Sequence, residues 1–347
     1  MDERVDLRSD TVTTPTPEMR EAMFRAEVGD DGRGEDPTVQ RLEQEAAARM
    51  GHAAGVFTIS GTMGNLTALM THLRPGEEAL LEAHAHILTY EAGGIAAVAG
   101  AQPRALPGER GRIPLEMIAE AIEPGSSHRP RTALLCLENT HNLAGGTVLD
   151  PDYTKAACRL AHERGLSVHL DGERIFNAAV ALGAPVTSLT ADCDSVMFGL
   201  SKGLGAPLGS VLTGSVSFIR EARRRRQRLG GGMRQAGIIA AAGLVALDTM
   251  IERLAEDHAN ARRLGEGIAA LDPRLTDLSR VQTNIVLLDT GPLGLEAKEA
   301  CGRLERAGLR TLPVGARTVR LVTHKDVQAA HIERALAILR QTLGPLL

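Results

Sequence analysis

The chain has 347 residues, of which 43% are apolar and 24% are charged, and its formal net charge at pH 7 is −4. This length allows one large domain or two ordinary ones with a sizeable core, and the small net charge excludes a general polyanion binder. Because the chain has no Trp, two Tyr and five Phe, its core must be aliphatic, and stacking of nucleic-acid bases on aromatic side chains is disfavoured.

The cysteines and the N-terminus predict a cytoplasmic protein. The four cysteines are scattered and form no CxxC pair, so we expect neither a disulfide framework nor a metal knot. The N-terminus is charged from its second residue, and no apolar run is long enough to span a bilayer. We therefore expect no signal peptide and no membrane partner.

An extended arm and two helices open the chain. Residues 5–13 are predicted to be extended, and apolar residues recur at helical spacing after Pro17. A glycine-rich loop, residues 29–37, leads into a second amphipathic helix that begins at Pro37 and ends near Gly51. We expect the first strand to follow this helix.

That first strand, residues 54–60, ends in a turn of small residues, and a helix follows at once. In such a turn, free backbone N–H groups and the positive end of the helix dipole point at whatever lies over Gly61 and Thr62. The spacing fits neither a Walker loop nor the dinucleotide fingerprint. We expect a phosphate site here, with a plain strand-to-helix turn as the alternative.

A further strand is predicted within residues 77–94, with His84 and His86 on one face and Tyr90 and Glu91 after them. Two histidines can bind a metal, but no third ligand stands at a convincing spacing, so we predict no metal site. A histidine that stacks on a flat cofactor ring and acts as a base explains the pattern better.

A polar run follows the next apolar strand, residues 133–137, and includes His141. The carboxyl ends of strands form the rim where open α/β sheets bind ligands. Taken alone His141 is a turn residue, but in register with the two groups described next it becomes a candidate catalytic or substrate contact.

Two buried strands that end at Asp171 and Lys202 carry the strongest chemical signal. They are one strand-helix unit apart, so both side chains should lie at the same edge of a parallel sheet. A partly desolvated lysine is suited to forming a Schiff base, and a carboxylate can keep a pyridine nitrogen protonated, which together suit pyridoxal phosphate. The alternatives are a surface-paired loop lysine and a helix cap at Asp171.

The remainder of the chain contains an arginine run and a second unit. Residues 210–215 are predicted to be an edge strand, and residues 223–228 read as a solvated helix face or subunit contact rather than a nucleic-acid site. Arg234 follows three glycines, and we expect its guanidinium to point toward an anionic group. From Thr249 we predict one long helix and then a small α+β unit, which divides the chain into domains 1–248 and 249–347.

The strings DLRSDTVT, GEDPTV, SGTMGN, HAHILTYEAGG, ENTHN, HLDGERIFNAAVALG, SKGLGAPLGSVL and LGGGMRQAG, in this order, resemble the low-specificity L-threonine aldolases. The resemblance covers about residues 5–325. It implies a fold-type I pyridoxal phosphate enzyme of the α/β class, with a large domain around a mostly parallel seven-stranded sheet. It also implies retro-aldol cleavage of L-threonine, L-allo-threonine and other β-hydroxy-α-amino acids to glycine and an aldehyde. The implied partner is the chain itself, in a homotetramer of two dimers with shared active sites.

The resemblance also implies roles for individual residues. The implied catalytic residues are Lys202, His86, His141 and Asp171. The implied cofactor ligands are Gly61, Thr62, His86, Asp171, Arg174, Lys202 and, from a neighbouring subunit, Arg234. The implied substrate contacts are Ser9, His141, Arg174, Arg320, Tyr90 and Glu91.

Several alternatives and departures stay open. Another reaction on the same scaffold, β-elimination or transamination, is the main alternative, although His86 and the ENTHN string favour the retro-aldol reaction. A nucleic-acid binder and a catalytically dead relative are weaker ones. Gly32 and Arg33, Gln227, and Glu173 depart from residues usual in the family, and we expect that Glu173 could pair with Arg174.

Overall fold

The computed structural model describes residues 4–347 and confirms the predicted α/β class. The described residues form twelve strands: β1 (Val5–Asp6), β2 (Ala54–Thr58), β3 (Glu78–Glu82), β4 (Gln102–Leu106), β5 (Thr132–Glu138), β6 (Ser167–Asp171), β7 (Ser195–Gly199), β8 (Ser210–Gly214), β9 (Ile285–Asp289), β10 (Leu309–Arg310), β11 (Leu312–Pro313) and β12 (Thr318–Val322).

Fourteen α-helices are formed by the same residues: α1 (Pro17–Arg25), α2 (Pro37–Met50), α3 (Gly61–His72), α4 (His86–Thr89), α5 (Gly94–Ala97), α6 (Leu115–Ala121), α7 (Pro151–Glu163), α8 (Ile175–Leu182), α9 (Thr187–Thr190), α10 (Val216–Arg228), α11 (Gly237–Thr249), α12 (Leu254–Ala269), α13 (Ala297–Arg306) and α14 (Ala329–Leu343). Among residues 4–347, every helix is too short or too polar to cross a lipid bilayer.

Seven strands form the central sheet, in the order β2-β8-β7-β6-β5-β3-β4. The ladders from β7 to β4 are parallel, and β8 pairs antiparallel with both β2 and β7. The predicted edge position of β8 is therefore wrong. All five of its residues are buried between two neighbours, and β2 takes the edge instead.

Local sequence signals explain where several elements begin and end. Asp36 caps α2 by accepting a hydrogen bond from Val39 N, and Gly51 ends this helix in the left-handed region at φ 74°. The predicted strand through His84 and His86 is wrong, since β3 ends at Glu82. The Glu82 carboxylate accepts from the amide of His84 at 2.6 Å where the chain turns, and His86 begins α4.

The C-terminal unit is a small sheet, β11-β12-β9, covered by α12, α13 and α14. The predicted long helix from Thr249 is one helix that begins later than expected, because α11 ends at Thr249 and α12 runs from Leu254 to Ala269. At the other end of the chain, β1 pairs in parallel with β10, and Val5 and Leu7 lie in the hydrophobic cluster of the C-terminal unit. The division into domains 1–248 and 249–347 stays a prediction.

Candidate functional site

A cavity of about 320 Å³ opens at the carboxyl ends of β6 and β7, where the N-terminus of α3 and the N-terminal arm meet them. It joins five residues that the sequence analysis singled out: Gly61, Thr62, His86, Asp171 and Lys202. The other lining residues include Thr11, Thr13, Ser60, Asn65, Glu173, Met197 and Ser201. Ser9, Tyr90, Glu91, His141, Arg174, Arg234 and Arg320 do not line it.

Lys202 lies in a tight turn just past the end of β7. Its φ is 57°, in the left-handed region that residues other than glycine rarely adopt, and its carbonyl accepts the Thr13 hydroxyl at 2.8 Å. Backbone strain of this kind collects at functional sites, where the surrounding structure holds it in place. The turn directs the amine into the cavity, and its nitrogen Nζ lies 3.1 Å from Glu173 Oε1.

Glu173 therefore does not pair with Arg174, as the sequence analysis expected, but with Lys202. Its carboxylate lies between two glycines, because a Cβ at Gly61 would lie 2.3 Å from Oε2 and one at Gly199 would lie 2.3 Å from Oε1. Oε2 is buried and has no hydrogen-bond partner. A negative charge thus lies beside the turn predicted to hold phosphate.

Asp171 ends β6 and is buried. Its carboxylate accepts hydrogen bonds from Asn65 Nδ2 at 2.9 Å and from the amide of Glu173 at 3.2 Å. Burial and the charge of Glu138, with smaller contributions from Glu91 and Glu173, outweigh the charge of His86 and raise the pKa of Asp171 to about 7. A cationic N–H group placed against this carboxylate would offset the energetic cost of burying its charge.

His86 forms the wall near Asp171. Its Nδ1 lies 3.0 Å from Glu91 Oε1, and its amide donates to Glu138 Oε2 at 2.6 Å. Because a carboxylate can only accept, Nδ1 carries a proton, which leaves Nε2 as the ring nitrogen without a partner among these contacts. Burial opposes a charge on the ring, but the bond to Glu91 and the charges of Asp171, Glu91 and Glu138 raise the pKa of His86. Tyr90 stacks on His86 with ring centroids 5.7 Å apart.

His141 lies behind this wall and is fully buried. Nε2 lies 3.0 Å from Glu82 Oε2, while Nδ1 accepts the amide of Ala144 at 3.2 Å. Both ring nitrogens are therefore occupied, and the proton sits on Nε2. The predicted contact with a substrate hydroxyl would require one of these bonds to open.

The two arginines expected to hold a substrate carboxylate differ in how well they are already paired. Arg174 donates Nε and Nη2 to the Asp10 carboxylate, each at 2.7 Å. Arg320 donates Nη1 to Asn142 Oδ1 at 2.7 Å, and its buried Nε has no hydrogen-bond partner. Burial and the charge of Arg174 lower the pKa of Arg320. A bound carboxylate would accept from the unpartnered Nε and offset the repulsion by Arg174. Arg320 is therefore the better anion site of the two arginines.

Ser9 and Arg234 make contacts outside the cavity lining. Ser9 caps the short turn Asp10–Val12 by accepting from Thr11 N at 3.2 Å, which holds the Asp10 carboxylate under Arg174. The Arg234 side chain is 79% exposed and lies 3.3 Å from Asp30. Arg234 is thus exposed and could contact a neighbouring molecule if its bond to Asp30 opened.

A second cavity, of about 630 Å³, is lined by three of the residues that depart from the family pattern: Gly32, Arg33 and Gln227. The arginine run borders the same cavity and is largely paired. Arg226 lies 3.0 Å from Asp31 and Arg225 lies 2.9 Å from Glu221, while Arg223 pairs with Glu43. This pairing favours the predicted helix face or subunit contact over a polyanion site.

Ligand atoms of His86, Glu91 and Asp171 lie within 4.8 Å of one another, a spacing at which they could hold a metal ion. However, Nδ1 of His86 already pairs with Glu91, and Asn65 bridges Glu91 and Asp171. Two of the three groups, His86 and Asp171, line the cavity, and Glu91 lies behind them as their hydrogen-bond partner through His86 Nδ1 and Asn65.

Asn65, Asp10 and Thr13 contact residues of this site but were not predicted from the sequence. All three stand inside strings that carried the resemblance, and Asn65 is four residues past Gly61, one helical turn into α3. Helical spacing places a residue at this position over the same sheet edge as Gly61, so it could have been flagged as a neighbour of Asp171.

The chain is similar to proteins of known family. The family model described as beta-eliminating lyase matches residues 6–291. Low-specificity L-threonine aldolase 1 of Arabidopsis thaliana is 43% identical over 344 residues, which is 98% of this chain and 96% of that protein. The low specificity L-threonine aldolase of Escherichia coli strain K12 is 43% identical over 341 residues, covering 98% and 99%.

Solved structures share the fold. A threonine aldolase of Leishmania major superposes with a TM-score of 0.81 at 20% identity, covering 97% of this chain and 99% of that one. Aspartate aminotransferase from Thermus thermophilus superposes with a TM-score of 0.74 at 19% identity, covering 98% and 92%. The predicted fold-type I architecture is thereby confirmed.

Proposed function

Because the chain belongs to the beta-eliminating lyase family and, within it, to the low-specificity L-threonine aldolases, we propose that it cleaves L-threonine and L-allo-threonine to glycine and acetaldehyde. Other β-hydroxy-α-amino acids would give glycine and the matching aldehyde. The observation that carries the proposal is the single cavity that joins Lys202, Asp171, His86 and the Gly61 turn.

The residues of this cavity suit pyridoxal phosphate, the cofactor of these lyases. Lys202 offers an amine for covalent attachment, and Asp171 a buried carboxylate for the ring nitrogen. Gly61 and Thr62 offer the N-terminus of α3 for the phosphate. One side chain opposes this fit: the carboxylate of Glu173 must turn away from Gly61 before a phosphate can lie there.

When bound, the cofactor accepts the electron pair of the broken Cα–Cβ bond into its ring. Asp171 would support this by keeping the ring nitrogen protonated. The carboxylates of Glu138 and Glu91 near Asp171 also favour a proton at this position. Stacking by His86 would fix the plane of the ring.

Arg320 would bind the substrate carboxylate and set the orientation of the Cα substituents. Its guanidinium can hold both carboxylate oxygens in fixed directions, which a lysine cannot do. Arg174, held by Asp10, adds positive charge nearby. A substrate without a carboxylate would lose this orientation.

The proton of the substrate hydroxyl must leave as the Cα–Cβ bond breaks. The Nε2 atom of His86 is the best acceptor, since Nδ1 is fixed on Glu91 and the ring lines the cavity. The electron pair of the broken bond is finally used at Cα, which takes up a proton to give glycine, and the hydroxyl carbon leaves as the aldehyde carbonyl.

A product assay tests the proposed reaction. Purified protein loaded with pyridoxal phosphate should release glycine and acetaldehyde in equal amounts from L-threonine. Release of ammonia and a keto acid instead would place the chain among β-eliminating lyases or aminotransferases. A visible absorbance band that Lys202→Ala abolishes identifies the attachment point.

We also propose that the chain forms a homotetramer of two dimers in the cytoplasm. Supporting features are the exposed Arg234 beside three glycines and the apolar Phe24, which is 86% exposed on α1. The four unbonded cysteines suit a reducing compartment. In such an assembly Arg234 would reach the phosphate of a neighbouring subunit.

Mixing two inactive variants tests the shared site. If Arg234 serves the neighbouring subunit, Arg234→Ala and Lys202→Ala chains that exchange subunits should recover part of the activity, because some hybrid sites hold both intact residues. Light scattering gives the assembly mass. No recovery after proven subunit exchange would place Arg234 outside the site.

A further inference from the structure

A chain of buried side chains runs from Asp171 into the protein, away from the cavity. Asn65 Nδ2 donates to Asp171 Oδ2 at 2.9 Å and to Glu91 Oε1 at 2.8 Å. On its other side, Asn65 Oδ1 lies 3.0 Å from His169 Nε2. His169 Nδ1 lies 2.8 Å from Ser195 Oγ, which lies 2.7 Å from His72 Nε2.

Elementary hydrogen-bond rules fix the direction of every bond in this chain. Glu91 and the ionised form of Asp171 can only accept, and Asn65 accordingly turns its NH₂ group toward them and its oxygen toward His169. That oxygen requires a proton on Nε2 of His169. A neutral His169 then accepts at Nδ1 from Ser195 Oγ–H, and the oxygen of Ser195 accepts from Nε2–H of His72.

The fold places these groups together from three elements. His169 and Asp171 are two apart on β6 and share one face of the sheet, and Ser195 is the register partner of His169 on β7. Asn65 and His72 lie two turns apart on α3, which packs on that face. The ring of His72 stacks on Phe218 of α10, with centroids 4.5 Å apart.

We propose that His169 is a positioning residue, which fixes the amide of Asn65 so that its NH₂ group holds the Asp171 carboxylate for the cofactor's ring nitrogen. The inference rests on the proposed function, since that function gives Asp171 its role. If the Asn65 amide were flipped, its oxygen would face two carboxylates and its NH₂ group would face Nε2–H of His169. Acceptor would then face acceptor and donor would face donor, so the flipped orientation is unfavourable.

The histidines of this chain orient groups and carry no charge themselves. Burial lowers the pKa of His169 to about 3 and that of His72 to about 4, so both are neutral at physiological pH. The same burial raises the pKa of Asp171, and donors aimed at its oxygens oppose that rise by stabilising the ionised form.

Two substitutions of His169 test the proposal. His169→Gln keeps an N–H donor that can reach Asn65 Oδ1, while His169→Leu removes it. We expect His169→Leu to raise the dissociation constant of pyridoxal phosphate by about tenfold and to alter the visible spectrum of the bound cofactor. His169→Gln should stay within about twofold of the wild type.

The matched control is His52, a half-buried histidine outside this chain, whose ring pairs with Thr213 Oγ1 at 2.8 Å and with the Cys193 carbonyl at 3.0 Å. His52→Leu should lower the melting temperature of the cofactor-free protein without changing cofactor affinity or spectrum. If His169→Leu behaves like His52→Leu, His169 is merely structural and the proposal is wrong.

Ser195→Ala keeps the test decisive if His169→Leu does not fold. It frees Nδ1 of His169, so the ring can change tautomer, and the cofactor dissociation constant should rise by about threefold. An unchanged constant and spectrum would overturn the proposal. A wild type that binds no pyridoxal phosphate would instead overturn the proposed function.

Discussion

Glu173 Oε1 lies 3.1 Å from Lys202 Nζ, inside the cavity where the cofactor must attach to that same amine. The carboxylate is also crowded against Gly61 and Gly199, beside the turn proposed for the phosphate. In the cofactor-free protein, Glu173 therefore competes with the cofactor in two ways. It pairs with the lysine to which the cofactor must attach, and it crowds the turn proposed for the phosphate.

Removing the charge of Glu173 should speed cofactor loading. Glu173→Gln keeps the size of the side chain, and we expect its association rate with pyridoxal phosphate to rise by about fivefold to tenfold, equivalent to about 1 to 1.4 kcal/mol. Stopped-flow absorbance measures the rate. Glu173→Ala should match Glu173→Gln; faster loading by the alanine variant alone would mean that bulk, not charge, slows the cofactor.

Loss of the Arg320 guanidinium should weaken substrate binding. Arg320→Gln leaves the substrate carboxylate without its charged partner, so we expect kcat/KM for L-threonine to fall by about 100-fold, or about 2.7 kcal/mol. Steady-state kinetics measure it. Arg317→Gln, an exposed arginine near the same strand, should change nothing. If Arg174→Gln alone impairs the reaction, the clamp belongs to Arg174.

His86→Phe should separate stacking from proton transfer. Phenylalanine keeps a flat ring against the cavity but has no Nε2, so we expect cofactor affinity to stay within about threefold and kcat to fall by about 100-fold or more. Tyr90→Phe keeps the ring that stacks on His86 and is the control. A His86→Phe variant with normal kcat would place the base elsewhere.

In the cofactor-free protein, Asp171 and Asp257 should each destabilise the folded state as pH rises from about 4 to about 7. Burial raises the pKa of both Asp171 and Asp257 to about 7, against an ordinary value of 3.8, so at these two side chains the folded state binds more protons than the unfolded state in this window. Asp171→Asn and Asp257→Asn should each raise the melting temperature at pH 8 by about 2 °C or more, and have little effect near pH 4.

Cofactor binding distinguishes these two variants. Asp257 is buried on α12 beside Arg253 and does not line the cavity, so Asp257→Asn should bind pyridoxal phosphate normally. Asp171→Asn should bind it poorly and lose activity. Equal stability of wild type and both variants at pH 8 would contradict the assigned protonation.

Sequence reasoning located the groups that strand ends dictate. Asp171, Lys202 and Gly61 meet because parallel strands carry their carboxyl ends to one edge, which periodicity and turn residues reveal. The partners of side chains were harder to predict. Glu173 contacts Lys202 rather than its neighbour Arg174, because Asp10 of the distant arm already pairs with that guanidinium. His141 faces Glu82 of another strand, a pairing that no local pattern encodes.

The pairing of β1 with β10 has a mechanical consequence. A few residues beyond β1, Thr13 holds the Lys202 carbonyl, so residues 7–12 form a short tether between the C-terminal unit and the lysine turn. The turn at Asp10–Val12 within this tether is held by the Ser9 cap and by the pairing of Asp10 with Arg174, which leaves the tether little slack. A rotation of the C-terminal unit that brings Arg320 toward a bound carboxylate would therefore pull, through this N-terminal tether, on the turn that positions the Lys202 amine.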